Sequence, residues 1–231
     1  MPGGNKVQME KIPAYINIVF ELTTIITVVL FWKAAKFSKA TILILLVWLV
    51  LQTLISLSGY YTLTDSFPPR FLLLVLPPLL FIISLFVTSK GRKYIDHLDT
   101  KTLTILHTIR IPVEIVLFWL FMNKAVPRIL TFEGRNFDIF SGLTAPVIYY
   151  FGYIKNRLNN KVILLWNFIC LGLLINVFFN AVLSAPFPFQ KFAFDQPNIA
   201  ILYFPFVWLP GCVVPLVLLA HLATIRQLLT K

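Results

Sequence analysis

The sequence predicts an all-α, polytopic membrane protein with seven transmembrane helices forming one domain over residues 1–231. Three observations carry that expectation. Of the 231 residues 58% are hydrophobic and only 13% charged, and the mean hydropathy is +0.84. A soluble chain of this size needs far more polar surface, so lipid must be its solvent. Apolar runs of about 20 residues, the length that crosses a bilayer core, recur along the chain. Lysine and arginine alternate between rich and poor in successive loops, as the positive-inside rule requires.

The expected spans are Ile12–Trp32, Ala40–Tyr61, Phe71–Thr88, Leu103–Met122, Phe137–Tyr153, Val162–Ser184 and Ile199–Thr224. Span one follows Lys6 and Lys11, and Ser38-Lys39-Ala40 loosely fits a leader cleavage site. Its apolar run is too long for a leader and Glu21 interrupts it, so it reads as a retained helix. Spans two and six each carry a tryptophan in their first half, Trp48 and Trp166. Span three opens after Pro68-Pro69, span five is short and broken by Gly142, Pro146 and Gly152, and span seven holds Pro205, Pro210-Gly211 and Pro215. Fifteen prolines are compatible with this class, because membrane helices find substitute partners for the freed carbonyls.

One set of loops holds Lys33, Lys36, Lys39, Lys90, Arg92, Lys93, Lys101, Lys155, Arg157, Lys161, Arg226 and Lys231. The other holds Lys6, Lys11, Arg70, Lys124, Arg128, Arg135 and Lys191. The richer set belongs in the cytoplasm, which places the N-terminus outside and the C-terminus inside. The formal charge of +11 would suggest nucleic acid in a soluble chain. Here the cations are loop anchors, and no nucleic-acid partner is expected. Cys170 and Cys212 fall inside spans and read as packing residues rather than a disulfide or metal pair. A weak internal repeat, three spans plus one plus three in parallel, is suggested by Asp65, Pro69 and Pro77 before and in span three against Asp195, Pro197 and Pro205 before and in span seven.

Arg110 and Glu114 stand in the middle of span four. A charged side chain at bilayer depth costs at least about 2.5 kcal/mol, so it is rare and marks a functional site by default. Residues three, four and seven apart share a helix face. On that rule Asn17, Glu21 and Thr24 align in span one, Gln52, Ser56 and Gly59 in span two, His107, Arg110 and Glu114 in span four, and Gly172, Asn176, Asn180 and Ser184 in span six. The expectation is a polar cavity open to the extracytoplasmic side with Arg110 and Glu114 at its floor, able to pair with one another. Glu21, Gln52, Asn176 and Asn180 would line it. Against this, small and amide stripes also serve simply to bring helices together.

The segment from Thr131 to Asp138 leads into span five and offers Glu133, Arg135 and Asp138, with Asp195, for a cavity mouth or lid. Asn136 or Asp138 could equally cap the helix. Pro205, Pro210, Gly211 and Pro215 should kink or unwind span seven and make it a hinge. His107 and His221 lie toward the same ends of spans four and seven and are a remote metal or haem pair; no close-spaced metal motif backs them, and no cofactor is predicted. No lysine falls inside span seven, which excludes a retinal Schiff base. No phosphate-binding glycine loop, serine elbow or His-Glu-x-x-His occurs.

These features predict a multi-pass protein of a bacterial inner (plasma) membrane that binds or transports a small polar or anionic solute. Arg110 would hold the ligand, since a guanidinium offers a forked donor to carboxylate or phosphate. The bilayer and the solute are its expected partners. A membrane-embedded acid–base or metal-dependent enzyme acting on lipid, using Glu114 or Glu21, and a seven-helix sensor are the alternatives.

Overall fold

The computed structural model describes residues 8–230, and all its regular structure is helical. Lys6 and Lys231, counted above for orientation, lie outside the described residues. In chain order the helices are α1 (Ala14–Ala34), α2 (Lys39–Leu57), α3 (Leu72–Val87), α4 (Ser89–His97), α5 (Thr100–Leu106), α6 (Arg110–Met122), α7 (Ile139–Tyr149), α8 (Asn160–Leu183) and α9 (Val214–Leu229). Five stretches are long and apolar enough to cross a membrane: Ala14–Ala34, Lys39–Leu57, Thr100–Met122, Asn160–Leu183 and Leu209–Leu229. This is the architecture of a helical membrane protein.

Two of the seven expected spans fall short of full-length crossings. Span three is α3, and the chain then bends by 95° at Thr88 into α4. Thr88 leaves helical geometry with φ −83° and ψ 146°, and its hydroxyl accepts the Gly91 N–H at 3.1 Å to start the next helix. α4 is Ser-Lys-Gly-Arg-Lys-Tyr-Ile-Asp-His, a polar helix that buries Gly91 and Ile95 and presents its cations outward. Such a helix belongs in the plane of a membrane surface rather than across it. Span five is the short apolar helix Ile139–Ile154, whose last turn, Tyr150–Ile154, widens to π geometry four residues after Pro146. The Tyr150 N–H bonds the Pro146 and Val147 carbonyls where that turn begins, while the bond Pro146 itself lacks lies earlier, toward Gly142.

Span seven also differs. Ala200–Leu202 is a 3-10 turn, and the apolar helix begins only at Leu209. Pro205 therefore sits in a turn before the helix, after a cis peptide from Phe204. Pro210 and Gly211 occupy a π turn, Leu209–Val213. Pro215 opens α9, but it lies inside the continuous apolar helix Leu209–Leu229, where it offers no N–H to the Gly211 carbonyl four residues back. The Pro210-Gly211 step and Pro215 together interrupt that helix. Pro77 lies inside α3 whereas Pro205 lies in a turn, so the positions matched in the suggested repeat have unlike local structure.

The centre of the bundle is α9, with 67% of its most apolar window buried, while α2 at the rim has 17%. α1 packs on α5 and α6, α7 on α5 and α6, and α9 on α5 and α8. At one end, the Asp99 N–H donates to the Ala34 carbonyl at 2.9 Å. Gln227 of α9 donates to the carbonyls of Ile95 and Leu98 at 2.8 and 2.9 Å, and Arg226 grips Asp96 at 2.8 and 3.0 Å. The Arg226 guanidinium holds the Asp96 carboxyl below the usual carboxylate range. At the other end, Gln196 donates to the carbonyls of Phe121 and Val126. There the proline-rich loop after α8 buries Ala185 and Phe187 against Phe71 and Leu74, forming the ordered cap its apolar residues favour.

Candidate functional site

The site is built on a broken helix. Pro112 cannot donate to Thr108, and its ring crowds that carbonyl. The span accordingly tightens to a 3-10 turn at His107–Ile109 before α6 resumes at Arg110. His107, Arg110 and Glu114 remain on the inward face; each is at most 2% exposed.

Arg110 pairs with Asp138 rather than with Glu114. Its Nη1 donates to Asp138 Oδ1 at 2.6 Å and reaches the Cys170 carbonyl at 3.4 Å. Its Nη2 donates to His221 Nε2 at 2.9 Å. A guanidinium can only donate, so Nε2 is the accepting nitrogen and the ring proton sits on Nδ1. That proton is donated to Asn167 Oδ1 at 2.9 Å, and the Asn167 amide in turn donates to the Ile163 carbonyl at 2.9 Å. The amide orientation and the histidine tautomer thus fix one another. His107 stacks on His221 with ring centroids 3.9 Å apart and planes at 15°, and meets the edge of Trp166.

The other half of the network runs through the loop before α7. Asn136 donates to Glu114 Oε1 at 2.6 Å and to the Leu130 carbonyl at 2.9 Å. Its Oδ1 accepts the Asp138 N–H at 3.0 Å. Glu114, Asn136, Asp138, Arg110, His221 and Asn167 therefore form one buried chain joining α6, the loop, α8 and α9. Asp138 occupies the N-cap position of α7 without making a cap bond; its carboxylate accepts from Arg110 and, at 3.4 Å, from Ser141. Four polar atoms of this cluster have no partner: Glu114 Oε2, Arg110 Nε and both His107 ring nitrogens. A buried polar atom without a partner costs about 1–3 kcal/mol, and a group of them marks a place built to meet something polar.

Gly142 lets α7 come this close. A Cβ there would stand 2.9 Å from Ile111 Cγ1, 3.1 Å from the Ile111 nitrogen and 3.3 Å from Arg110 Cβ. Gly142→Ala should push α7 away from Arg110 and destabilise the protein by about 1–3 kcal/mol, as overpacking does. A thermal melt in detergent checks this.

The remaining expected residues lie elsewhere. Glu21 is half-buried on α1, and Arg110 and Glu114 both bond to other groups. Gln52 is buried but accepts from the Tyr61 hydroxyl at 2.5 Å, in the separate cluster beneath the cap. Asn176 is exposed and donates to the Arg135 carbonyl at 2.9 Å, and Asn180 donates to Asn176 at 3.3 Å. They hold the backbone of the loop rather than face Arg110. Glu133, Arg135 and Asp195 are at the surface. At the expected hinge, the Gly211 carbonyl, for which Pro215 has no N–H to offer, accepts the Trp48 indole N–H at 2.7 Å, so that carbonyl is taken. His107 and His221 do not converge on a metal: a ligated ion lies close to the plane of each ring, and nearly parallel stacked rings share no such point. Among the described residues no group of three or more His, Cys, Asp or Glu could hold a metal ion.

Asn136, Ser141 and Asn167 are the members that sequence reasoning left out of the site. Asn136 was weighed only as a cap. Asn167 precedes Asn176 by nine residues, about two and a half turns at 3.6 residues per turn. It therefore faces inward while Asn176 faces out.

Residues 68–229 match the model of a family described as a domain of unknown function, DUF8737. No curated protein and no solved structure matches the chain. The matched stretch covers most of the chain and contains every residue of the Arg110 network, and the chain belongs to the DUF8737 family.

Proposed function

We propose that this protein binds or carries a small anionic solute, entered from the extracytoplasmic side of a plasma membrane, and that the present arrangement is its closed state. The observation that carries the reading is Arg110, which is buried and forked between Asp138 and His221 while its Nε has no partner. Asp138 stands where the carboxylate or phosphate of a solute would sit. It reaches that point from a loop rather than from a spanning helix, and Asn136 latches the same loop onto Glu114. Opening would withdraw Asn136 and Asp138 together and expose Arg110 and Glu114. The orientation is supported by the packing of the ends. The α4–α5 connection, next to the Lys90–Lys101 charges, meets the end of α1 near Lys33 and Lys36, so the basic loops gather on one side. The latch loop and the proline-rich cap lie at the other.

Two measurements test this. Proteoliposomes holding the full chain should accumulate one class of labelled carboxylates or phosphate esters. If no such solute is taken up or bound by wild type, the reading fails. Asp138→Asn gives the sharper check. If Asp138 competes with the solute for Arg110, removing its charge raises the population competent to bind, and the apparent Kd falls. The expected result in a thermal-shift titration is a several-fold tighter Kd with a lower midpoint in the absence of solute. An Asp138→Asn protein that is less stable and also binds more weakly would make Asp138 part of the scaffold.

A further inference from the structure

A second region, away from the Arg110 network, is shaped for a lipid. α2, α3 and the start of the α9 span enclose a groove of about 720 Å³ lined by Trp48, Leu51, Pro77, Pro78, Cys212 and Leu216 among others. That is the size range of a site for one discrete ligand. The walls are almost wholly apolar, and the groove opens sideways where Leu43, Ile44 and Val47 are exposed. Its depth is fixed by the bond from Trp48 to the Gly211 carbonyl. At one end stands Tyr94, whose hydroxyl bonds Thr41 Oγ1 at 3.0 Å.

Ser38 and Tyr94 also line a second hollow of about 360 Å³, shared with Lys93, His97, Ala35 and Leu98. The two hollows share the Ser38 and Tyr94 walls, which sets the apolar groove next to a pocket bearing Lys93 at the level of α4. Arg92 is turned back onto the Val87 carbonyl at 3.0 Å, and Asp96 is held by Arg226. Lys93 is exposed beside the pocket, with Lys39 at the start of α2. The charge there is positive, and the cavity beyond it is greasy.

We propose that this composite site holds one anionic phospholipid, its acyl chain in the groove along Trp48 and Pro77-Pro78 and its phosphate beside Lys93. Charge complementarity selects the occupant. A zwitterionic lipid brings a cationic choline beside the same lysine and carries no net charge, whereas an anionic headgroup meets the positive pocket with a net negative charge, which suits a basic pocket between helices at the membrane surface.

The test places the full chain in phosphatidylcholine nanodiscs, with or without phosphatidylglycerol of the same acyl chains. Thermal midpoint and lipid retained in native mass spectrometry are read together. Phosphatidylglycerol is expected to raise the midpoint and to leave one lipid bound. Lys93→Ala should weaken that retention about fivefold, the worth of one lysine toward an anionic surface. Ile44→Trp, which fills the open side of the groove, should abolish it while leaving the midpoint in pure phosphatidylcholine unchanged. Equal retention of the two lipids, full stabilisation by soluble glycerol phosphate alone, or wild-type retention in both variants would each overturn the proposal.

Discussion

Arg110→Ala is expected to destabilise the protein by about 3–5 kcal/mol, the range for breaking a buried ion pair by removing one partner, and to abolish solute binding. The substitution strips three bonds at once. Asp138 keeps only the 3.4 Å contact from Ser141 among side-chain donors, and His221 Nε2 loses its donor. Arg110→Lys should recover part of the stability and little of the binding. An ammonium is a point charge and cannot hold Asp138 and His221 in a fixed fork. The double variant Arg110→Ala/Asp138→Ala separates pairing from simple damage. Removing both charges should cost less than the sum of the single losses, with a coupling of about 0.5–3 kcal/mol. Strict additivity in detergent melts would mean that the two groups do not act as a pair.

Gly91→Ala is expected to be among the more damaging glycine substitutions, near the top of the 1–3 kcal/mol range for overpacking. A Cβ at Gly91 would strike the Leu85 carbonyl oxygen, stand 2.5 Å from Leu85 Cα and 2.7 Å from Thr88 Oγ1. The first two are backbone atoms and cannot rotate aside, so the 95° bend between α3 and α4 must open. α4 would then leave its bonds to Gln227 and Arg226, and Lys93 would swing from the lipid pocket. Gly172 on α8 is the matched control, because a Cβ there meets nothing within 4 Å. Gly172→Ala should be neutral or stabilising by up to about 1 kcal/mol, since alanine is the better helix former. Comparable losses at both positions would show that the bend is not held by the close approach at Gly91.

What the sequence revealed followed from local rules. Apolar runs located four of the five long helices within a few residues and the fifth with a late start at Leu209, and hydropathy alone singled out Arg110 and Glu114. What it concealed is long-range. Arg110 and Asp138 are 28 positions apart, and Arg110 and His221 are 111 apart, so helical spacing could suggest only the neighbouring Glu114 as a partner. His221, weighed as a remote metal ligand, is the acceptor for Arg110. In the stripe Gly172, Asn176, Asn180 the first two are exposed, and the buried Asn180 bonds Asn176, which holds the loop at the Arg135 carbonyl; small and amide residues suit the packing of a loop as well as a site. Of the prolines of span seven, Pro205 sits in a turn before the helix begins, and only Pro210 and Pro215 fall within it. The apolar run of span three ends close to Thr88, but nothing in the composition of Thr88 or Gly91 announces the 95° turn that follows.

To admit a solute, the buried Arg110 site must open to the solution. Ser141→Cys, with Cys170 and Cys212 replaced by alanine, places a thiol beside Asp138 at a position with 0% exposure. A membrane-impermeant thiol reagent, added from one face of intact proteoliposomes, measures the opening directly. Slow labelling is expected from the face bearing the latch loop, faster in the Asp138→Asn background, and none from the face bearing α4. A folded protein that stays unlabelled from both faces, while the denatured protein labels fully, would contradict it.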